Sequence, residues 1–142
     1  MVRILAAAFL MVLPLEAKDR KVMMPIDRAM QSPEFREKVG KKVQFHFGNP
    51  AKAPGGASFG YGTADLKTNI LDKTDEQACQ RVFLSCLIAL RKTADSLRTD
   101  AVIGISSMYN GEEMSSDSLY ECHLGSVAAG VALRGNFVKV IK

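Results

Sequence analysis

The stretch TDEQACQRVFLSCLIALRKTADSL, residues 74–97, decides the fold of this chain. Its apolar side chains recur at three- and four-residue spacing, which predicts one amphipathic helix from about Asp75 to Leu97. The members of this stripe are Cys79, Val82, Phe83, Cys86, Leu90, Ala94 and Leu97. Thr74 and Gln77 have the spacing of a capping box, in which each side chain bonds the other residue's backbone N–H. The helix therefore has a defined start and a single face to bury.

The segments around this helix favour β-strands, so the stripe has a sheet to pack against. VQFHF alternates apolar and polar residues, and AVIGIS is a short apolar run typical of a buried strand. The predicted strands cover residues 43–47, 59–66, 101–106, 120–133 and 137–142, with a turn at Gly135–Asn136 before the last one. We therefore predict an α+β fold, with one main helix packed on a small, mostly antiparallel sheet.

The segment ahead of the sheet carries a weaker helical signal. Apolar residues recur between residues 26 and 39, and the sequence Ser32-Pro33-Glu34 indicates a restart with Ser32 as N-cap. We expect a short N-terminal helix there and a flexible lead-in over residues 18–25. Residues 26–142 are then expected to form a single α+β domain, because their length supports one core.

The N-terminus, MVRILAAAFLMVLPLEA, has the pattern of a secretory signal peptide over residues 1–17. Arg3 precedes an apolar run over residues 4–15 that is too short to span a bilayer, and Ala17 offers a cleavage position. A buried N-terminal helix of a cytosolic protein is the alternative interpretation. We expect a periplasmic or secreted protein with no transmembrane anchor after cleavage.

Charge and glycine patterns argue against nucleic-acid and nucleotide sites. The formal net charge is +4, and the basic residues alternate with acids, which is typical of a solvated surface. The glycine-rich segment NPAKAPGGASFGYG, residues 49–62, contains no GxxxxGK[ST] motif, so we interpret it as a mostly irregular connecting loop.

The chain has three cysteines, and an oxidising compartment favours one disulfide. Cys79 and Cys86 lie seven residues apart on the predicted helix, a rise of ~10 Å that exceeds the ~7 Å Cα limit for a bridge. Cys122 therefore pairs with one of them, and spacing leaves both options open. Cys122 and His123 are adjacent in a predicted strand and point to opposite faces, so they do not form a nucleophile–base pair.

The order helix, DAVIGISS, polar hairpin loop and YECHLGSVAAGVAL resembles the C-terminal half of the periplasmic domain of RcsF-type envelope-stress sensor lipoproteins. A looser likeness extends to YbjQ-type heavy-metal-binding domains, and together the similarity covers roughly residues 74–133. The resemblance implies a Cys79–Cys122 bridge, with Cys86 left as a buried free thiol. Ala128 falls where that family has a further cysteine, so the family's second bridge is absent.

Other features of the family are missing from this sequence. It has neither the lipid-attachment cysteine nor the proline-rich tether of RcsF-type proteins. Small exported chains similar to this one over most of their length are often labelled as an excinuclease ATPase subunit. The lack of a phosphate-loop motif makes that DNA-repair function the least favoured alternative.

No catalytic constellation emerges from the sequence, so we predict a non-enzymatic protein without cofactor or metal. A metal-handling protein is the alternative, and it would use Cys86, His46 and methionines. The favoured hypothesis is a small exported interaction or envelope-stress-related domain that contacts an envelope protein, whose identity the sequence does not give, through two loops. The candidate contact residues are Phe59 and Tyr61 on the glycine-rich loop, and Tyr109, Glu112, Glu113 and Met114 on the loop YNGEEMSSDS. The sequence sets no oligomeric state.

Overall fold

The structure, a computed structural model, describes residues 19–141. The predicted signal peptide, residues 1–17, lies outside the described residues. The described elements are β1 (Arg20–Pro25), α1 (Ile26–Met30), a π-helical turn (Phe35–Val39), β2 (Gln44–Phe47), a 3-10 turn (Pro50–Lys52), β3 (Gly56–Asn69), α2 (Asp75–Leu97), β4 (Ala101–Tyr109), β5 (Glu112–Met114), β6 (Leu119–Leu124) and β7 (Ala128–Val140). Neither helix in this part of the chain has the length and hydropathy needed to cross a membrane.

Helix α2 begins and ends where the sequence predicts. Its capping box is complete: Thr74 Oγ1 accepts from the Gln77 N–H at 3.1 Å, and Gln77 Oε1 accepts from the Thr74 N–H at 3.0 Å. At the other end Arg98 adopts a left-handed conformation with φ 58°, and the Thr99 N–H donates to the Ala94 carbonyl at 2.9 Å. Local signals at both ends therefore define this helix.

The seven strands form one curled, largely antiparallel sheet, which confirms the mixed α and β class. The strand order is β1-β6-β7-β4-β2, with β3 along the other edge of β7 and β5 beside β4. Among the described strands, only the β2–β4 pair is parallel. One edge of β7 is shared, since Gly130 pairs with His123 of β6 while Leu133 pairs with Ser107 of β4. This sharing brings β6 and β4 close together at the curl.

The core lies between α2 and one face of this sheet. Phe83 of α2 is fully buried, and its ring stacks on Tyr120 with centroids 4.0 Å apart and lies 5.8 Å from Phe47. Val131 and Leu133 of β7 belong to the same cluster. The alternation predicted for β2 is also present, because Phe45 and Phe47 pack on the core side.

The N-terminal segment differs from the expected flexible lead-in. Residues 20–25 form strand β1, which pairs along its whole length with β6. Val22 and Met24 pack against the core, so this segment gains both backbone hydrogen bonds and apolar burial. The predicted short helix divides into α1 and the π-helical turn. Ser32 acts as the N-cap of the second part, with Oγ accepting from the Phe35 N–H at 3.2 Å.

The last two strands also divide differently from the prediction. The turn lies at Gly125, whose N–H donates to the Ala128 carbonyl at 2.8 Å, and β7 then runs without a break through Gly135 and Asn136. Gly135 is needed for close packing, since a Cβ there would lie 2.4 Å from Val102 Cγ1. The glycine thus marks a tight contact with β4 and not a turn.

Both segments expected as contact loops contain strand residues. β3 begins at Gly56 and continues to Asn69, so the glycine-rich segment is irregular only as far as residue 55. The polar segment after β4 folds back at once into β5 through Asn110 and Gly111, which have φ values of 52° and 77°. An Asn-Gly pair with two positive φ angles favours a tight two-residue hairpin.

Candidate functional site on the outer face of the sheet

Helix α2 covers one face of the sheet, and on the other face Ala53 packs on a small buried cluster of Ala101, Ile103 and Val138. Odd-numbered residues of β7 from Ala129 to Phe137 face α2, so the even-numbered residues point away from it. We call the surface opposite α2 the outer face. Its polar and aromatic members include Tyr61, Ser106, Tyr109, Glu121, His123, Arg134 and Asn136. This face therefore combines polar and aromatic side chains from four strands, β3, β4, β6 and β7.

A cavity of about 220 Å³ opens on the outer face between β3 and β5. We call it the cleft, and the residues that matter most for its chemistry are Tyr61, Ile103, Ser106, Glu113, Arg134 and Asn136. The Arg134 guanidinium carbon lies 4.5 Å from the centroid of the Tyr61 ring. Within residues 19–141 neither Arg134 nor Glu113 forms a salt bridge. The cleft is therefore lined by one positively charged and one negatively charged side chain, neither of which has an ionic partner among the described residues.

The six predicted contact residues differ in their exposure and in their distance from the cleft. Tyr61 and Glu113 line the cleft from opposite sides, and the Tyr61 ring is 64% exposed. Phe59 is 51% exposed and sits with Gly60 in the irregular register between Ser58 and Tyr61.

The other three predicted contacts belong to the β4–β5 hairpin. Glu112 is exposed and paired with Tyr109, while Met114 is half-buried and paired with Ser107. Tyr109 is half-buried, and its ring stacks on His123 with centroids 3.5 Å apart. The tyrosine therefore supports the outer face more than it offers free contact area.

A largely buried carboxylate–imidazole contact lies beside that stack. His123 Nε2 is 2.8 Å from Glu121 Oε2, and Lys21 Nζ approaches the other carboxylate oxygen at 4.0 Å. Glu121 is only 7% exposed. As predicted, His123 points away from Cys122, which lies in the core. Sequence reasoning missed Glu121, although two residues spaced i and i+2 in a strand share a face.

This carboxylate–imidazole pair lacks the third component of a nucleophilic site. Among the described residues the His123 side chain bonds Glu121, and no hydroxyl or thiol hydrogen-bonds to the ring. The pair instead joins β1 to β6 through Lys21 and fixes the orientation of the ring under Tyr109.

The cysteines have the arrangement that the resemblance implies. Cys79 and Cys122 form a disulfide with their Cα atoms 5.9 Å apart, and it joins α2 to β6. Cys86 is a free thiol in the core, with Sγ 3.3 Å from the Val131 carbonyl oxygen. Burial raises the pKa of the Cys86 thiol to about 12, so the thiol is protonated and unreactive near neutral pH.

The ligands of the metal-handling alternative do not come together in the described residues. His46 lies on the outward side of β2 and hydrogen-bonds Gln44 at 3.0 Å, whereas Cys86 is enclosed in the core. No group of three His, Cys, Asp or Glu side chains suited to a metal ion occurs within residues 19–141.

Comparisons with protein-family models, with curated protein sequences and with solved structures give no match for this chain.

Proposed function

We propose that this protein is a small, exported, non-enzymatic interaction domain that binds an envelope protein through the cleft on its outer face. One observation carries the proposal: two segments far apart in sequence, around Tyr61 and Glu113, line the same cavity. The side chains of Tyr61 and Glu113 are exposed and lie outside the core between α2 and the sheet. Side chains at such a place are free to serve recognition.

The cleft has the chemistry of a protein–protein contact. Tyrosine and arginine are the residue types most enriched where interfaces gain their binding energy. Arg134 is held over the Tyr61 ring and lacks an acidic partner within residues 19–141, so it can receive a carboxylate. Glu113 opposite can receive a basic or amide group. We infer a partner loop that presents an acidic side chain beside a donor.

Export is supported by two independent features. Residues 1–17 have a signal-peptide pattern, and a disulfide such as Cys79–Cys122 persists in oxidising compartments. The resemblance of residues 74–133 to RcsF-type proteins, and more loosely to YbjQ-type domains, points to the bacterial envelope and to stress sensing. Bridging at Cys122 and one helix on a curled sheet are in keeping with that family.

Site-specific photocrosslinking in cells tests the proposal. A photoreactive amino acid at Glu113 should give one discrete crosslinked product from the envelope fraction, while the same group at Lys92, on the exposed side of α2, should not. Arg134→Ala should abolish the Glu113 product without changing protein abundance, because it removes the cleft's cation. Equal products from both positions, or a product that survives Arg134→Ala, would contradict the proposal.

A further inference from the structure

Strand β3 has an unpaired edge that differs from the other free edges of the sheet. It is 14 residues long and, among the described strands, pairs only with β7. The other edge strands are short: β1 has six residues, β2 has four and β5 has three. A long strand with free N–H and C=O groups is a template for pairing with a further strand.

The part of β3 suited to such pairing follows its irregularity. Register with β7 shifts between Ser58 and Tyr61, and from Tyr61 to Asn69 every residue is paired in regular order. Asp65 and Lys67 lie in this regular part and are exposed on the outer face. Neither forms a salt bridge within residues 19–141.

We propose that a second copy of this chain pairs with β3, antiparallel and about a two-fold axis at Leu66. This register sets Asp65 against the partner's Lys67 and, by symmetry, Lys67 against the partner's Asp65. An axis at Asp65 would oppose two carboxylates, and an axis at Lys67 would oppose two ammonium groups. The opposite charges of Asp65 and Lys67 therefore favour a two-fold axis at Leu66 over an axis at either charged residue.

The residue at the proposed axis also fits this arrangement. Leu66 pairs with Val131 of β7 and so lies on the side of the sheet that α2 covers, yet it is 37% exposed because it sits at the edge. On the axis it meets the same residue of the second copy, and both apolar side chains lose water contact. The pairing uses residues 63–69 and leaves Tyr61 and the cleft open, so it does not depend on the proposed function.

Charge reversal with rescue tests the edge and its register. Sedimentation equilibrium of the purified protein should show a reversible dimer. Lys67→Asp should weaken it at least about tenfold, because both cross-strand pairs become repulsive. The double variant Asp65→Lys with Lys67→Asp should restore the dissociation constant to within about threefold of wild type. Lys92→Asp, which changes the net charge equally, should leave it unchanged.

A cysteine at the axis supplies an independent readout. Leu66→Cys should form an interchain disulfide under mild oxidation, because the two Cβ atoms are about 5 Å apart in the paired strands. Thr63→Cys should not, since it lies six residues from its copy along the strand, about 20 Å away. Cys86 is buried and contributes no background.

Each outcome decides the proposal. A dimer weakened by Lys67→Asp and restored by the swap, together with self-crosslinking at Leu66, supports it. Wild-type protein that remains monomeric up to about 1 mM overturns it. A dimer insensitive to Lys67→Asp places the contact elsewhere, and loss of association without rescue overturns this register in favour of a different strand partner. A failure of the cleft crosslinking would affect none of these results.

Discussion

The two faces of the sheet differ in what their side chains do. On the side of α2, aromatic and aliphatic residues such as Phe83, Leu87 and Val131 are fully buried, and a disulfide joins the helix to β6. On the outer face, charged and aromatic side chains surround two small cavities, and Arg134 and Glu113 have no ionic partner among the described residues. The larger core thus lies on the side of α2, and the cleft proposed for binding lies on the other side.

Removal of the disulfide on the side of α2 should give the largest loss of stability. Replacing Cys79 and Cys122 together with alanine should lower the free energy of unfolding by about 4 kcal/mol, because the bridge closes a loop across 43 positions of sequence. The melting temperature, followed by circular dichroism under non-reducing conditions, should fall by about 15 °C. Cys86→Ala is the matched control and should cost only its local packing. A loss below about 1 kcal/mol in the double variant would contradict this assignment.

Two leucines, one buried and one exposed, test the same difference without a change in covalent bonding. Leu87 of α2 is fully buried in the core, whereas Leu71 is 73% exposed in the turn after β3. Leu87→Ala should reduce the free energy of unfolding by about 3 kcal/mol, since it leaves a cavity in the core. Leu71→Ala should change it by less than about 0.5 kcal/mol. Urea denaturation measures both, and similar losses would show that the core is not where we place it.

The pH dependence of the free energy of unfolding tests whether water reaches the core on the side of α2. The pKa of Cys86 is about 12 in the folded protein because of burial, against 9.0 for an ordinary thiol. Below pH 9 the thiol is neutral in both states. Above pH 9 the unfolded chain releases the proton while the folded chain keeps it, so stability falls as pH rises.

The comparison at pH 8 and pH 10 isolates this single group. Wild-type protein should lose about 1 kcal/mol more free energy of unfolding over that interval than Cys86→Ala does. Urea titrations of both proteins at both pH values give the difference, in which the contributions of lysines and tyrosines cancel. Parallel behaviour of the two proteins would mean that water reaches the thiol.

The elements on the side of α2 were also more predictable from the sequence than those of the outer face. The capping residues Thr74 and Gln77, the apolar stripe and the alternation of β2 are short-range patterns, and they fixed α2 and β2 closely. The bridge to Cys79 followed from the resemblance, since geometry alone left Cys86 possible. Each of these features depends on residues that are close in the chain or on a shared pattern.

The misjudged elements depend on partners far away in sequence. Strand β1 exists because β6 lies beside it, about a hundred residues later, and β3 pairs with β7 across about 60 to 85 positions of sequence. Gly135 resembles a turn residue in the sequence, because its close neighbour Val102 belongs to another strand. Asn110–Gly111 is the exception, since this pair is a local signal for a two-residue hairpin that the sequence itself contains.

The outer face was predictable only in part. Tyr61 and Glu113 were candidates as separate loop residues, but nothing in the sequence joined them in one cleft. Arg134 was missed because its role depends on lying over Tyr61 in a neighbouring strand. The Glu121–His123 pair had a visible i, i+2 spacing and could have been recognised.

The central claim is that the cleft serves binding and not stability. Its most direct test is the triple variant Tyr61→Ala, Glu113→Ala and Arg134→Ala, assayed for complementation of a deletion strain and for thermal unfolding of the purified protein. We predict a loss of stability no larger than about 1 kcal/mol, since the only strong contact removed is the exposed cation–π pair, together with loss of complementation. Full complementation by this stably folded variant, or its failure to fold, would contradict the claim.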